Sequence, residues 1–464
     1  MHNSIHWMAP AIIVPLSITL GCTPPKLDAP ASLGSEIASR TGATPAWAQG
    51  ESPLSPDAAT LRSAANRALP DPLDERVAVA MALDANPLLA RMIAETDALR
   101  ADAFDIAAPQ NPVVNLTSGV PLDSMSVVPI FAMLMVQVDE LWKQPIRSEA
   151  ARDSYEAALL ALGARAVALS TETRALWNEV ALRETECEYA TNDLALTEQL
   201  LVITRAQLAA GELTKDELAK LQAEFLDAHH RNESASEMRG SVRLALMALL
   251  GRSEASTDWK SGSPDSSAQF ALHGSLSSES ELLARLASSR LDVRAADART
   301  RAAQSNLVLA QRSRFKSVQI GGGFDRDMEG DEAAAFSANI ELPLFNDGSA
   351  RVDKATAQYH AASIDAEAIR QSAITALRTA LVAAAAAQAR HDLTQSNLID
   401  PTAQTLARAR AAVDVGEGSQ QAAIDAAHAL NHANLAMTDL ERERRTTRIA
   451  LATAAGFLPA EVLP

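Results

Sequence analysis

The sequence predicts a mainly α-helical chain with a membrane β-barrel contribution: tandem-duplicated helical hairpins and four β-strands per protomer. Three observations predict it. The chain repeats itself at half length, it contains two helical runs far longer than a compact domain uses, and short segments in each repeat alternate with a period of two.

The repeat sets the organisation. Asn86-Pro87 lies opposite Arg290-Leu291, Val114 opposite Val318, Tyr155 opposite Tyr359 and Arg174 opposite Arg378, each pair 204 residues apart. The register then slips once, because Arg205 and Arg410, Gly211 and Gly416, Glu212 and Glu417, and Gly251 and Gly456 are all 205 apart. Chance does not hold a register through a single insertion over most of a chain, so the two halves are a duplication. The expected organisation is a signal peptide at 1–22, an extended tether at 23–75, a first repeat at 76–251, a linker at 252–280, a second repeat at 281–458 and a tail at 459–464.

Before the repeats, Met8 to Gly21 is a short apolar run ending at Gly21-Cys22. It reads as an export signal, too short to span a bilayer as a helix. The junction resembles a bacterial lipoprotein processing site, which would make Cys22 an acylated first residue. The other reading is a plain cleaved signal with Cys22 incidental. Residues 23–75 are rich in Ala, Pro, Ser and Gly without a sustained period, which reads as a tether. No other stretch reads as a membrane-spanning helix, so strands must make any crossing.

Each repeat then has the same order: a helix, two strands, a very long helix, a break and a second long helix. In the second repeat, Val318, Ile320 and Phe324 alternate with Ser317, Gln319 and Gly321, and Phe336, Ala338, Ile340 and Leu342 alternate with Ser337, Asn339 and Glu341. The first repeat alternates at Val114, Leu116 and Val120, whereas Phe131 to Val138 is apolar on both faces. One apolar and one polar face suits a strand between lipid and a wet lumen. Four strands cannot close a barrel when the smallest outer-membrane barrels have about eight, so membrane strands here imply a homo-oligomer.

From Arg147 to Ala210 there is no proline and one glycine, Gly163. As a helix this run would reach roughly 95 Å. The equivalent run, 349–415, lacks interior glycine but includes Pro401, which predicts a kink. Both stop at matching breaks, Gly211-Glu212-Leu213-Thr214 and Gly416-Glu417-Gly418-Ser419. Glycine suits the left-handed end of one helix, and Thr214 or Ser419 can cap the next.

These residues together resemble the TolC-like outer membrane factors of bacterial efflux and type I secretion systems. The resemblance covers about 76–458. Glu341-Leu342-Pro343-Leu344-Phe345-Asn346-Asp347-Gly348 looks like the family's strand-to-helix junction, and Ala210 to Thr214 and Val415 to Ser419 are similar to its hairpin tips. Asn86-Pro87-Leu88-Leu89 resembles the opening of the first repeat and Leu246 to Gly251 its end, while Leu291 stands where the second repeat usually has proline and Trp142-Lys143-Gln144-Pro145 departs from the junction pattern. The resemblance implies a homotrimer in the bacterial outer membrane, with a twelve-stranded barrel and an α-barrel extending into the periplasm. It implies a passive export conduit, gated at periplasmic tips that dock on a periplasmic adaptor protein and an inner-membrane pump. The alternative from another class is a periplasmic helical-hairpin adaptor or scaffold, but an adaptor usually carries one hairpin, not two equivalent ones.

Composition argues against a nucleic-acid partner, and the motifs argue against an enzyme. The 464 residues are 47% hydrophobic and only 4% aromatic, with a formal charge of −17 that argues against nucleic acid. No phosphate-binding glycine loop, cysteine metal pair or nucleophile elbow occurs, and Gly321-Gly322-Gly323 sits in a strand pattern. No catalytic residue and no cofactor is expected.

The candidate gate residues lie near the tips: Glu212, Asp216, Glu217, Asp414 and Glu417. Under three-fold symmetry an inward carboxylate becomes a ring that draws cations; otherwise these are solvated charges. Arg205 and Arg410, six residues before each break, could pair with the carboxylates and hold a closed state. Asp425, His428 and His432 share one helix face, and His at i and i+4 is a zinc arrangement, although such residues are also ordinary on a surface. His229 and His230 point apart, Met133 and Met135 read as barrel surface, and Cys187 reads as a bystander.

Overall fold

The computed structural model describes residues 31–48, 56–119, 128–252, 259–262, 279–313, 317–327, 330–341 and 345–456. The signal segment with Cys22, the Leu342-Pro343-Leu344 core of the junction and the 459–464 tail lie outside them.

In chain order the first elements are α1 (Ala31–Thr41), α2 (Ala58–Ala65), α3 (Glu75–Ala85) and α4 (Pro87–Ala107). The strands β1 (Val113–Ser118) and β2 (Ile130–Gln137) precede the long helix α5 (Glu140–Ala209) and its return α6 (Lys215–Leu249). The second repeat runs α7 (Glu279–Ser289), α8 (Leu291–Arg312), β3 (Val318–Arg326), β4 (Glu332–Ile340), α9 (Ser349–Thr394), a π-helical turn (Gln395–Ile399), α10 (Asp400–Asp414) and α11 (Gln420–Ala455).

Local chemistry explains the boundaries. Asn86 caps α4 by accepting from the amides of Leu88 and Leu89 at 3.0 and 3.1 Å, and Pro87 sits in the first turn where its missing N–H costs nothing. At 70 residues, α5 would extend about 105 Å. It stops at Gly211, which is left-handed at φ +75°, as is Gly416 at +79° in the second repeat. The next helices begin at Thr214 and Ser419, whose hydroxyls accept from the amides of Glu217 and Ala422 at 3.4 and 3.1 Å.

The duplication is visible in the packing. Leu89 and Val293, Leu169 and Ala373, and Leu246 and Leu451 are equivalent pairs, and the first of each is buried in one core while the second is buried in another. The helix α5 joins the halves, because it packs on α4 and α6 of its own repeat and on α8 and α11 of the other. Arg442 on α11 reaches Glu179 at 2.9 Å and also pairs with Glu186 on α5. Although burial pushes the Arg442 guanidinium down, these carboxylates hold it above its ordinary range.

Near Pro401 the helix changes to a π-helical turn. Pro401 stands in the first turn of α10, directly after the five residues Gln395–Ile399 that form the π turn. A π turn holds one residue more than an α turn, and this one lies between Arg378 and Arg410, the stretch over which the repeat offset changes from 204 to 205. Asn397 Nδ2 donates to the Leu393 carbonyl at 2.9 Å within this irregular stretch.

Two expectations are corrected. The described part of the expected tether is helical and packed rather than extended. Leu33 and Ile37, four apart on α1, join Trp47 in the core around Trp177, and Trp47 Nε1 donates to the Leu83 carbonyl at 3.1 Å. Arg174 Nη2 donates to the Thr41 carbonyl at 2.6 Å, and its guanidinium pairs with Glu75 at 2.9 Å. Burial pushes the Glu75 carboxyl up despite this partner, because the low-dielectric core disfavours its charge. The second correction concerns hydropathy. A window within Ser349–Asp414 has a mean hydropathy of 1.2 and is apolar enough to cross a membrane, as α3 and α4 are together despite a 48° bend. In Ser349–Asp414 the alanine run Ala383 to Ala387 helps raise this value, and Ala384 is buried in a cluster with Leu451 and Ala454 of α11.

The sheet is antiparallel in the order β1-β2-β3-β4. Its register places Val114 beside Leu134, Val136 beside Ile320 and Gly322 beside Phe336.

A deletion tests the origin of the π turn. Removing Ser396 should convert it to α-helix and leave the flanking faces in phase, giving a folded chain with nearly unchanged helical circular dichroism and melting temperature. Removing Ala195 from α5 should rotate everything beyond it by about 100°, the step of one helical residue, and prevent stable folding. Equal damage from both deletions would contradict this origin.

Candidate functional site

Three features outside the hydrophobic cores carry chemistry: the sheet, the hairpin tips and a histidine cluster between the repeats.

The sheet has one continuous apolar face. Val114 and Leu116, Leu134 and Val136, Ile320 and Phe324, and Phe336 and Ile340 lie on it by register, and all are exposed, Leu116 at 71% and Phe336 at 88%. The opposite face carries Asn115, Thr117, Gln137, Gln319, Ser337 and Asn339. Alternation alone requires this division once the four strands are in register. Among the described residues, β1 and β4 each have a strand neighbour on one side only, which leaves two rows of backbone groups open.

Met133 and Met135 depart from the expectation of barrel surface. They are buried on the polar face, at 6% and 3% exposure. Facing glycines make room for them, since a Cβ on Gly321 would come within 2.2 Å of Met135 Sδ. Gly321-Gly322-Gly323 is therefore a packing device inside β3, as its strand context implied.

After β4, Asn346 Oδ1 accepts from the Gly348 amide at 3.1 Å and Asp347 Oδ1 from the Ser349 amide at 2.9 Å. These turns, with Gly348 at φ +79°, redirect the chain from sheet to α9. In the first repeat the corresponding link is a buried ion pair: Lys143 Nζ lies 2.7 Å from Asp139 Oδ2, and Asp139 Oδ1 accepts from the Val318 amide at 3.2 Å. That contact ties the start of α5 to the edge of β3.

At the tips, Glu212, Asp216, Asp414 and Glu417 are exposed. Glu217 is committed elsewhere, because its carboxylate accepts from the amide and hydroxyl of Thr214, both at 2.8 Å, in a reciprocal cap. The Thr214 amide holds the Glu217 carboxyl below its usual range. Arg205 and Arg410 are exposed, and neither makes an ion pair with these carboxylates within the described residues of one chain.

His428 and His432 do come together, with Nε2 atoms 3.3 Å apart, but Asp425 is exposed and outside the cluster. The third member is Asp193 of α5, whose Oδ1 lies 3.0 Å from His428 Nε2 and 3.4 Å from His432 Nε2. Asp193 is 235 residues from His428, so helix spacing around the histidines could not reveal it. His229 and His230 are outside the cluster, and Cys187 is a buried free thiol.

An antiparallel sheet with one exposed apolar face and two long helical hairpins is the architecture that the comparisons also find. Residues 282–457 match the outer membrane efflux protein family. Among similar solved structures, the transmembrane channel CusC is 20% identical with a TM-score of 0.67, covering 82% of this chain and 92% of that one. VceC, an outer membrane protein of Vibrio cholerae, is 20% identical with a TM-score of 0.63, covering 83% and 96%. The outer membrane channel MtrE of Neisseria gonorrhoeae is 21% identical with a TM-score of 0.59, covering 82% and 88%. No curated protein sequence matches. The resemblance to TolC-like outer membrane efflux proteins is borne out: the second repeat matches the family by sequence and the chain has the fold of these channels. The bacterial outer-membrane localisation implied by the resemblance agrees with these relatives.

Proposed function

We propose that this chain is one protomer of a passive outer-membrane efflux conduit, completed by two further copies and gated at its helical tips. The observation that carries the reading is the sheet: among the described residues it has four strands, an exposed apolar face and two open edges. Each unpaired backbone group would cost several kcal/mol in hydrocarbon, so the edges must be paired if the apolar face meets lipid. An even number of antiparallel strands lets β4 of one copy meet β1 of the next with the alternation unbroken. Three copies, the number the family resemblance implies, give a twelve-stranded barrel, polar inside.

The hairpins α5–α6 and α9/α10–α11 then form a helical tube across the periplasm. Their tips are the surfaces for a periplasmic adaptor, and an inner-membrane pump supplies the energy. Conduction needs no bond chemistry, and opening needs only an adaptor that binds the open tips better than the closed ones. In this arrangement Glu212, Asp216, Asp414 and Glu417 can form carboxylate rings, with Arg205 and Arg410 as pairing partners across subunits. The capped Glu217 is held for the helix start. The adaptor or scaffold reading leaves the apolar sheet face and both edges unexplained.

Cysteine pairs test the assembly. Asn115→Cys on β1, combined in turn with Ala333→Cys, Ala335→Cys, Ser337→Cys or Asn339→Cys on β4, samples the edge registers. One combination is expected to give an oxidised ladder ending at three copies, in the outer-membrane fraction. A soluble monomer without inter-chain links in any combination would contradict the proposal.

The gate is tested separately in planar bilayers. Asp414→Asn with Glu417→Gln should reduce cation preference, read as a shift in reversal potential under a salt gradient, whereas Glu217→Gln should leave it near the wild-type value. An unchanged reversal potential in the double variant would remove these carboxylates from the pore.

A further inference from the structure

We propose that Asp193, His428 and His432 form a binding site for a divalent transition-metal ion of zinc-like softness, and that the ion ties the second repeat's return helix α11 to the first repeat's long helix α5. The site is a property of one chain and stands independently of the conduit reading.

The geometry is the first argument. The three candidate ligand atoms form a triangle with edges of 3.0, 3.4 and 3.3 Å. Ligands about 2.0–2.1 Å from a tetrahedral ion lie about 3.3–3.4 Å from one another, so these atoms already occupy one face of such a tetrahedron. An ion raised roughly 0.8 Å above the triangle would lie about 2.0 Å from all three atoms.

The protonation chemistry is the second argument. Two imidazole Nε2 atoms converge on each other and on the same carboxylate oxygen. If both rings carry Nε2–H, the hydrogens crowd between them; if one lacks it, only the other ring can donate there. A metal ion uses the lone pairs of both neutral rings and the carboxylate oxygen together.

The surroundings fix the carboxylate and leave room for the ion. Asp193 is 1% exposed, and its second oxygen accepts from Arg231 Nη2 at 2.9 Å. Arg231 also pairs with Asp227, so its positive charge is shared between two carboxylates. Asn431 Nδ2 donates to the Tyr189 carbonyl at 2.9 Å and lies 3.5 Å from Asp193 Oδ1. Outer partners of this kind hold a ligand's orientation. The ring of His432 is 46% exposed and that of His428 27%, which leaves a solvent-facing fourth position. Two imidazoles and one carboxylate select zinc, cobalt, nickel or copper over calcium or magnesium, which prefer oxygen-only shells.

The placement gives the ion a mechanical consequence. Asp193 lies eighteen residues before Gly211, or about 27 Å along α5 from the tip. The ion would bridge hairpins from different repeats just above the segment where opening has to separate helices.

Cobalt titration tests the proposal on the full-length chain, prepared without a histidine tag and stripped with chelator. Wild type is expected to bind about one Co2+ per chain with the intense visible band of a tetrahedral site, and zinc should displace it. His432→Ala, a change at a half-exposed ring, should stay folded by circular dichroism, lose the band and bind at least about tenfold more weakly. Asp193→Asn should lose the band as well, whereas the double variant His229→Ala, His230→Ala should keep it. The proposal is overturned if folded wild type shows no tetrahedral band, or if the band persists in His432→Ala.

Discussion

An open β-sheet edge in hydrocarbon has no partner for its amides and carbonyls, and the architecture of this chain follows from that constraint. Among the described residues, one chain supplies four strands whose apolar face is exposed and whose outer edges have no strand neighbour. Water can satisfy those edges, but lipid cannot. If the apolar face is in lipid, neighbouring copies must complete the sheet. The first long helix of each repeat follows the sheet, with the Asp139–Lys143 pair at the start of α5 and the Asn346-Asp347-Gly348 turn before α9.

Duplication supplies the two hairpins, and small departures from it make the halves unequal. The core positions Leu89 and Val293 remain equivalent, yet α5 is continuous while its counterpart is divided by a π turn before Pro401. The junctions also differ, one built on an ion pair and the other on side-chain-stabilised turns. Because α5 packs on both α6 and α11, the two repeats share this helix as their common wall. The Arg442 pairs with Glu179 and Glu186 and the Asp193 cluster lie along that same contact.

Much of this was legible in the sequence because it is encoded locally. Gly211 and Gly416 mark tips by their left-handed backbone, and the alternation of Val318, Ile320 and Phe324 marks a strand face. The single slip in the repeat already contained the π turn. What was not legible depends on contacts far apart in the chain. Leu33 and Ile37 look unremarkable in an Ala- and Pro-rich segment until Trp47 and Trp177 enclose them. The burial of Met133 and Met135 has no local signal, because a strand apolar on both faces does not say which side is covered. Glu217 looked like its neighbouring tip carboxylates, although the Thr-x-x-Glu spacing at 214–217 is a capping-box signal that could have set it apart. Asp193 carries no local signal at all, since its partners come from the other repeat.

The claim beneath the whole account is that the sheet of one chain is part of a larger closed surface. Native mass spectrometry of the protein, extracted from membranes in mild detergent and released intact in the gas phase, reads that directly. The account predicts a complex of three identical chains that retains lipid or detergent. A stable single chain, with no larger species at any detergent concentration that keeps it folded, would contradict it.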